Sequence, residues 1–294
     1  MKNFFIVANN DNSQAQIAEK DIIKYLKTRN AGNVYVNSYV ATDSEHKYKY
    51  TNPELVPADT EAVIVLGGDG TLLQTARDLG DRDIPLIGIN FGRLGFLAEN
   101  NRDGLYETLD RLLNDDFTIE NRMMLSGRIY RNGQLVYDNV ALNDIVINRS
   151  GSLQIINYKI SVNNQYLNNY SADGIIVATP TGSTAYNMSA GGPLVNPSAK
   201  LILVTPICPH TLNTRSIILG EDDEIEIEIL PGREQGKKNR ITAYDGDNEM
   251  WLEDYDKVFI KKACSYTKII KLNSLSFLQV LRRKMAGNEN SETK

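Results

Sequence analysis

Three short apolar runs, Phe4–Ala8, Ala62–Leu66 and Ile84–Ile89, constrain this chain more than any other feature. A strand with one wet face alternates polar and apolar residues, so an uninterrupted run marks a strand covered on both sides. Segments of helical periodicity lie between the runs: Ile17, Ile22, Ile23 and Leu26 in the first, and Thr71 to Leu79 in the second, where Gly80 stops the pattern. Strands that alternate with helices pair in parallel, because a parallel neighbour is reached only through a crossover and a helix is the usual crossover. The first ~120 residues are therefore read as an α/β domain on a parallel sheet, a fold whose ligands gather at the carboxyl ends of the strands.

After leucines at helical spacing in Leu105–Leu113 the texture changes. Ser126–Tyr130, Gln134–Val140, Ile145–Asn148 and Tyr158–Val162 are short runs separated by Asn-Gly and glycine-rich turns, the pattern of an all-β domain. Glu224–Ile229 alternates Glu and Ile strictly, which predicts one apolar face and one solvated acidic face. Leu275, Phe277, Leu278, Val280 and Leu281 predict a closing helix, and Gly287–Lys294 a disordered polar tail. The expected division is 1–122 as the α/β domain, completed by 267–286, with 123–266 as the β-rich domain.

With 294 residues the chain is long enough for a sizeable core. Lys plus Arg number 32 against 37 Asp plus Glu, a net charge of -5. The field of the whole molecule therefore repels polyanions, and neither nucleic acid nor a membrane surface is an expected partner. Cys208 and Cys264, with His46 and His210, form no ligand-spaced cluster, which removes zinc ribbons and disulfide scaffolds and leaves oxygen ligands for any metal. No run approaches the roughly 18 apolar residues of a membrane span, and the chain is expected to be cytoplasmic.

Gly67-Gly68-Asp69-Gly70-Thr71 joins an apolar strand to a helix. Backbone N–H groups and the helix dipole favour an anion at such a junction, so Gly67, Gly68, Gly70 and Thr71 are candidate phosphate binders. An acid in the middle of an anion site is a poor phosphate ligand. Asp69 is expected to face a hydroxyl or a metal, the alternative being a turn with a solvent-exposed Asp.

A second constellation runs from Ala172-Asp173-Gly174 through Thr181-Gly182-Ser183-Thr184-Ala185-Tyr186 to Ser189-Ala190-Gly191-Gly192-Pro193. Thr181, Ser183, Thr184 and Ser189 can donate to ribose or phosphate oxygens, and Tyr186 offers a flat face with a polar tip; such clusters also occur in plain loops. Asn143-Asp144 sets an amide beside a carboxylate, which suits a vicinal diol and equally suits a turn. His210 in Pro206-Ile207-Cys208-Pro209-His210 reads as a structural hydrogen-bonder, since no Gly-x-Ser-x-Gly elbow accompanies it. Gly-x-x-x-x-Gly-Lys-[Ser/Thr] is absent, as is Gly-x-Gly-x-x-Gly after the first strand, which sets aside P-loop enzymes and weakens a dehydrogenase reading.

In this order and at these separations, Gly67–Thr71, Asn143-Asp144 and Asp173–Tyr186 make the chain resemble the NAD kinases across nearly its whole length. Leu94-Gly95-Phe96-Leu97 after Asn90, Ser189–Pro193, Pro206–Asn213 and Asp245-Gly246 look like further signatures of that family. The glycine loop alone also resembles those of diacylglycerol, sphingolipid and phosphofructokinase relatives; the Asp173–Tyr186 string separates them. The resemblance implies transfer of the ATP γ-phosphoryl to the 2′-hydroxyl of the adenosine ribose of NAD, giving NADP, with a divalent cation such as magnesium. It also implies an N-terminal α/β domain, a C-terminal β-rich domain, a dinucleotide site between them and a homodimer or homotetramer.

Carried over residue by residue, Asp69 is similar to the general base toward the ribose hydroxyl, with Gly70 beside it. Asn143 and Asp144 are similar to residues that hold the nicotinamide-side ribose or the phosphates, and Asp173 to one at the nicotinamide half. Thr181, Thr184, Ala185, Tyr186 and Ser189 match the adenosine region, and Phe96 matches a ring that packs on adenine. The chain departs from the pattern at Asp144, Ala172 and Asp247, where many relatives have Glu, Gly and Gln; no binding role is carried to Asp247. Arg77 and Arg93 are near enough to the loop in sequence to assist with charge, or are exposed surface arginines. A lipid or sugar kinase sharing the loop, and a non-catalytic dinucleotide sensor, are the rival readings.

Overall fold

The computed structural model describes residues 1–37, 50–92, 95–151, 154–211, 215–232, 239–272 and 276–286. The chain divides into two compact units, Met1–Asn121 with Thr267–Lys294, and Arg122–Tyr266. In the first unit β1 (Phe4–Ala8), β2 (Val34–Val36), β3 (Ala62–Leu66) and β4 (Leu86–Asn90) form a parallel sheet in the order β2-β1-β3-β4. The short β5 (Asn100–Asn101) pairs with β4, as does Ile269 near the end of the long strand Lys257–Lys271. β1, β3 and β4 are buried at every position, as their uninterrupted apolar runs require.

Three helices, α1 (Ser13–Thr28), α2 (Asp69–Asp78) and α3 (Leu105–Leu113), cover this sheet. Phe4, Ile6, Ile64, Leu66, Ile87 and Ile89 pack on the apolar stripes of α1 and α3. Asn12 caps α1 by accepting from the Gln14 and Ala15 N–H groups. Ile17 does not join the buried stripe and is 58% exposed, because five residues from Ile22 is roughly 140° round a helix. On the opposite face, a Cβ at Gly88 of β4 would lie 2.6 Å from Leu72 Cδ1, so the glycine lets α2 approach closely. α2 starts at Asp69, two residues earlier than the periodicity predicts, which puts Asp69 and Gly70 in a first helical turn rather than in a turn before it. The closing helix is present over Phe277–Ala286, with Val280 buried and Leu278 70% exposed. Leu275 and the expected tail Gly287–Lys294 lie outside the described residues.

The second unit is antiparallel. Its strands are β6 (Thr118–Arg131), β7 (Gln134–Ala141), β8 (Asp144–Arg149), β9 (Ile156–Val162), β10 (Gln165–Ala172), β11 (Gly174–Ala178), β12 (Leu201–Ile207), β13 (Ile217–Gly220), β14 (Ile225–Leu230), β15 (Arg240–Tyr244), β16 (Asp247–Trp251) and β17 (Lys257–Lys271). One sheet runs β13-β12-β11-β8-β15-β16; in the other, β10-β9-β14-β17 continues through β6 to β7. Ile145, Ile147, Ile175 and Val177 of the first sheet share a core with Leu125, Ile129, Tyr158, Ile160, Ile227 and Ile260 of the second. The other face of β11, Ile176 and Ala178, packs with Val146, Leu203 and Ile207, which is why this strand, like Leu201–Val204 of β12, reads as a continuous apolar run.

The Glu face of β14 is not simply solvated. Glu224, Glu226 and Glu228 are half-buried and pair with Lys261, Lys257 and Lys159 on the flanking strands. Sequence alternation shows which side a residue faces, but cross-strand partners come from register. Both cysteines are free and exposed. Among the described residues no helix is long and apolar enough to cross a membrane.

Candidate active site

The order β2-β1-β3-β4 creates a topological switch point between β1 and β3, where open α/β sheets bind ligands. Gly67–Thr71 follows β3 there and is tied to the end of β1: the Asn9 N–H donates to the Leu66 carbonyl (2.9 Å) and Asn9 Nδ2 to Thr71 Oγ1 (3.2 Å). The Gly67 N–H donates to the Ile89 carbonyl (3.0 Å) and the Thr71 N–H to the Gly68 carbonyl (3.1 Å). Gly67 also lies against Thr71, whose Cβ would be 2.7 Å from an added Cβ. Of the four expected phosphate binders, Gly67 and Thr71 thus lock the loop, the first spending its N–H on β4 and the second inside the loop. Gly68 and Gly70 are its open part, since a Cβ at either would meet nothing within 4 Å, and N–H groups at a helix start have no intrahelical acceptor.

Asp69 is not a free turn residue. Its Oδ2 accepts from the Phe96 N–H (2.6 Å), and its Oδ1 from the Leu97 N–H (3.0 Å) and the Ala98 N–H (2.9 Å). Gly95 admits the carboxylate: a Cβ there would overlap Oδ1 and lie 2.5 Å from Cγ. A carboxylate has about four lone-pair sites, so this clamp fixes the group and leaves Oδ2 able to accept once more. Lys284 Nζ stands 4.1 Å from the centroid of the half-buried Phe96 ring, a cation–π contact on the residue expected to meet adenine. Arg77 is not a surface arginine: it is buried in α2 and bonds Gln74. Arg93 and Leu94 lie outside the described residues.

In the second unit a similar clamp surrounds Asn143-Asp144. Asp245 Oδ2 accepts from the Leu142 N–H (2.8 Å), and Oδ1 from the Asn143 (2.7 Å) and Asp144 (3.1 Å) N–H groups. The Thr179 N–H donates to the Asn143 carbonyl (2.8 Å) and Thr179 Oγ1 to the Leu142 carbonyl (2.6 Å). Gly182 abuts the same carbonyl, with an added Cβ 2.5 Å from Asn143 C, and so draws the Thr181–Thr184 turn against Asn143. Asp144 is buried, and its carboxyl is pushed up to about 7, first by burial and then by the neighbouring Asp245 charge. Asp173 is engaged by Arg149, whose Nε donates to Oδ1 (2.8 Å).

Three of the four Ser and Thr hydroxyls expected to point at a ligand bond other groups of the protein. Thr181 is buried and accepts from Arg122 (3.4 Å), Thr184 Oγ1 donates to the Thr181 carbonyl (3.2 Å), and Ser183 Oγ bridges both backbone groups of Val195 (3.1 Å). Ala185 is half-buried, while Tyr186 and Ser189 are exposed. Asn187, which sequence reasoning passed over, is the buried hub of this segment: it bonds the Pro193 carbonyl and the Thr205 hydroxyl, and Gly192 leaves it room. His210 is exposed and its N–H donates to the Ser171 carbonyl (2.8 Å). A cavity of about 630 Å³ elsewhere in this unit, lined by Arg128, Tyr130, Tyr255, Lys257, Phe259 and Lys261, includes none of these residues.

An α/β unit with Gly-Gly-Asp-Gly-Thr at its switch point and an antiparallel two-sheet unit are the two parts of the chain, and each matches a domain of one enzyme class, the ATP-NAD kinases. Residues 4–117 match the ATP-NAD kinase N-terminal domain and residues 142–272 the ATP-NAD kinase C-terminal domain. The NAD kinase of Lachnospira eligens is 44% identical over 298 residues, covering 97% of this chain and 100% of that protein. The NAD kinase of Agathobacter rectalis is 44% identical over 288 residues, covering 98% and 99%. Yeast NADH kinase complexed with NADH has the same fold, with a TM-score of 0.86 at 24% identity over 100% of this chain and 90% of that one. So has an NAD kinase from Archaeoglobus fulgidus in complex with ATP, with a TM-score of 0.75 at 23% identity over 95% and 98%. The chain belongs to the NAD kinase family. It is an enzyme that phosphorylates NAD to NADP with ATP.

Proposed function

We propose that Asp69 is the general base of this reaction, acting on the 2′-hydroxyl of the adenosine ribose. The observation that carries this is the clamp of three N–H groups, which holds the carboxylate still and leaves one acceptor direction on Oδ2. Oδ2 takes the hydroxyl proton as the ribose oxygen attacks the γ-phosphorus and ADP departs. Phosphoryl transfer asks little covalent chemistry of a protein, so alignment of the hydroxyl and stabilisation of charge carry most of the acceleration. Gly68 and Gly70 approach the phosphates at the start of α2, and Phe96 meets the adenine after Lys284 moves off its ring. Asn143 and Asp144 hold ribose hydroxyls or phosphates, Asp173 the nicotinamide half, and Thr181, Thr184, Ala185, Tyr186 and Ser189 line the adenosine region.

The described residues form no cage for the implied divalent ion. Among the described residues no group of three or more His, Cys, Asp or Glu could hold a metal, and the Asp69 oxygens already accept three N–H bonds. Magnesium typically travels on nucleotide phosphates with few protein ligands, and it supplies charge neutralisation there. The enzyme works in the cytoplasm as a homodimer or homotetramer. Incubation with NAD and ATP, with and without magnesium, and NADP as the readout, tests the reading: NADP must form, and only with the metal present. Phosphorylation of a lipid or sugar instead would overturn it.

A further inference from the structure

We propose that Asp245 is a positioning residue for NAD, a role resting on the reading that Asn143 and Asp144 contact the dinucleotide. Asp245 and Gly246 form the two-residue loop between β15 and β16, where Tyr244 pairs with Asp247. Both loop residues are left-handed, with φ of 54° and 72°, as a type I′ hairpin turn requires. Asn-Gly makes that turn as readily as Asp-Gly. The turn therefore accounts for an Asx residue here but not for a carboxylate.

The carboxylate is accounted for by what it meets. Between β7 and β8 the chain turns through Leu142, Asn143 and Asp144, and three successive N–H groups converge on one point. Such a nest is an anion site. The protein fills it with its own anion, brought from about a hundred residues away in sequence: Asp245 accepts all three bonds at 2.7 to 3.1 Å, and its own N–H returns to the Asp144 carbonyl (2.9 Å). An amide in its place would turn a donor toward at least one of these donors. Leu142 and Asp144 are buried, so water cannot readily substitute.

The consequence falls on Asn143. Its N–H is held by Asp245 and its carbonyl by the Thr179 N–H, with Gly182 pressed against it. The backbone is thus fixed from both sides, and the half-buried side chain is the part left to reach a ligand. The neighbouring Asp144 carboxyl also feels the Asp245 charge. The device repeats the one at Asp69, where Phe96, Leu97 and Ala98 supply the three N–H groups. There the clamped carboxylate is the group proposed to react. Here the clamp serves the residues around it.

Steady-state kinetics of Asp245→Asn, with Asp245→Gly as a second variant that also keeps the left-handed turn, tests the proposal. Both should raise the KM for NAD about tenfold or more while the KM for ATP stays within about twofold. Adding Asn143→Ala to Asp245→Asn should cost much less than Asn143→Ala alone, because the two act as one unit. Amide exchange at Asn143 and Asp144 should rise in both Asp245 variants. An unchanged KM for NAD in folded Asp245→Asn, when Asn143→Ala raises it, would overturn the proposal. So would a proportionate loss of every parameter together with melting temperature, which marks a turn residue only. If Asn143→Ala itself leaves the KM for NAD unchanged, the reading of Asn143 as a ligand fails instead, and the positioning role falls with it.

Discussion

Gly95→Ala places one methyl group where the Asp69 carboxylate lies. The added carbon would overlap Oδ1 and sit 2.5 Å from Cγ, far inside any real contact, so Asp69 must leave its seat. It then gives up three bonds from Phe96, Leu97 and Ala98, at 2.6, 3.0 and 2.9 Å. Hydrogen bonds to a charged group are worth about 1.5 to 3 kcal/mol each, and water returns much of that to a half-buried carboxylate, which leaves a net loss of about 2 to 4 kcal/mol. At roughly 2 to 4 °C per kcal/mol for a domain of this size, the melting temperature should fall by about 4 to 16 °C. Turnover should fall further, because misplacing a reacting group by about 1 Å costs about a hundredfold. Gly70→Ala is the control: its Cβ would meet nothing within 4 Å, and the fold should be unaffected. Calorimetric melting and a coupled NADP assay on both variants make the comparison. Gly95→Ala with wild-type melting and turnover would refute the clamp.

Asp256 is buried and accepts from the Arg131 guanidinium at 2.7 Å, so Arg131→Met leaves an unpaired buried charge and should cost about 3 kcal/mol in urea unfolding; a change below about 0.5 kcal/mol would show the pair to be solvated. Asp144 titrates near 7 in the folded chain against an ordinary 3.8, so the folded state binds the proton more tightly than the unfolded state. Its contribution to stability is then complete at low pH and is lost as pH rises from about 4 to 7. Asp144→Asn should therefore gain stability relative to the parent on raising the pH from about 4 to 8, by on the order of 4 kcal/mol. A difference between the two that does not vary with pH would contradict the assignment.

What sequence could show and what it could not follows from the range of each interaction. The strands of the first unit were legible because burial on both faces leaves a mark in consecutive residues, as Ala62–Leu66 does. Helix periodicity placed α2 but not its first turn, since Gly-Asp-Gly reads as a turn and only the fold continues the helix back to Asp69. The acidic face of β14 was visible, whereas its lysine partners on β9 and β17 depend on register between strands distant in sequence. Asp69 stood out by its place in the loop, but its clamp comes from residues 27 to 29 positions onward. Asp245 was marked only as part of an Asp-Gly pair, and its role appears once Leu142–Asp144 is brought against it. Hydroxyls in Thr181–Thr184 looked like ligand donors because composition cannot tell a hydroxyl that binds a ligand from one that ties its own turn, as Thr184 does.

Asp69→Asn tests the central claim most directly. Asparagine keeps an oxygen for the Leu97 and Ala98 N–H groups but turns its amide donor toward the Phe96 N–H, so two of the three clamp bonds remain while the oxygen that would take the ribose proton is gone. General-base removal typically costs about 10² to 10⁴ in rate. NAD affinity by calorimetry should stay within about tenfold of the parent, and the single-turnover rate of NADP formation should drop at least a hundredfold. A folded Asp69→Asn enzyme that forms NADP at near-parental rate in a single turnover would contradict the account.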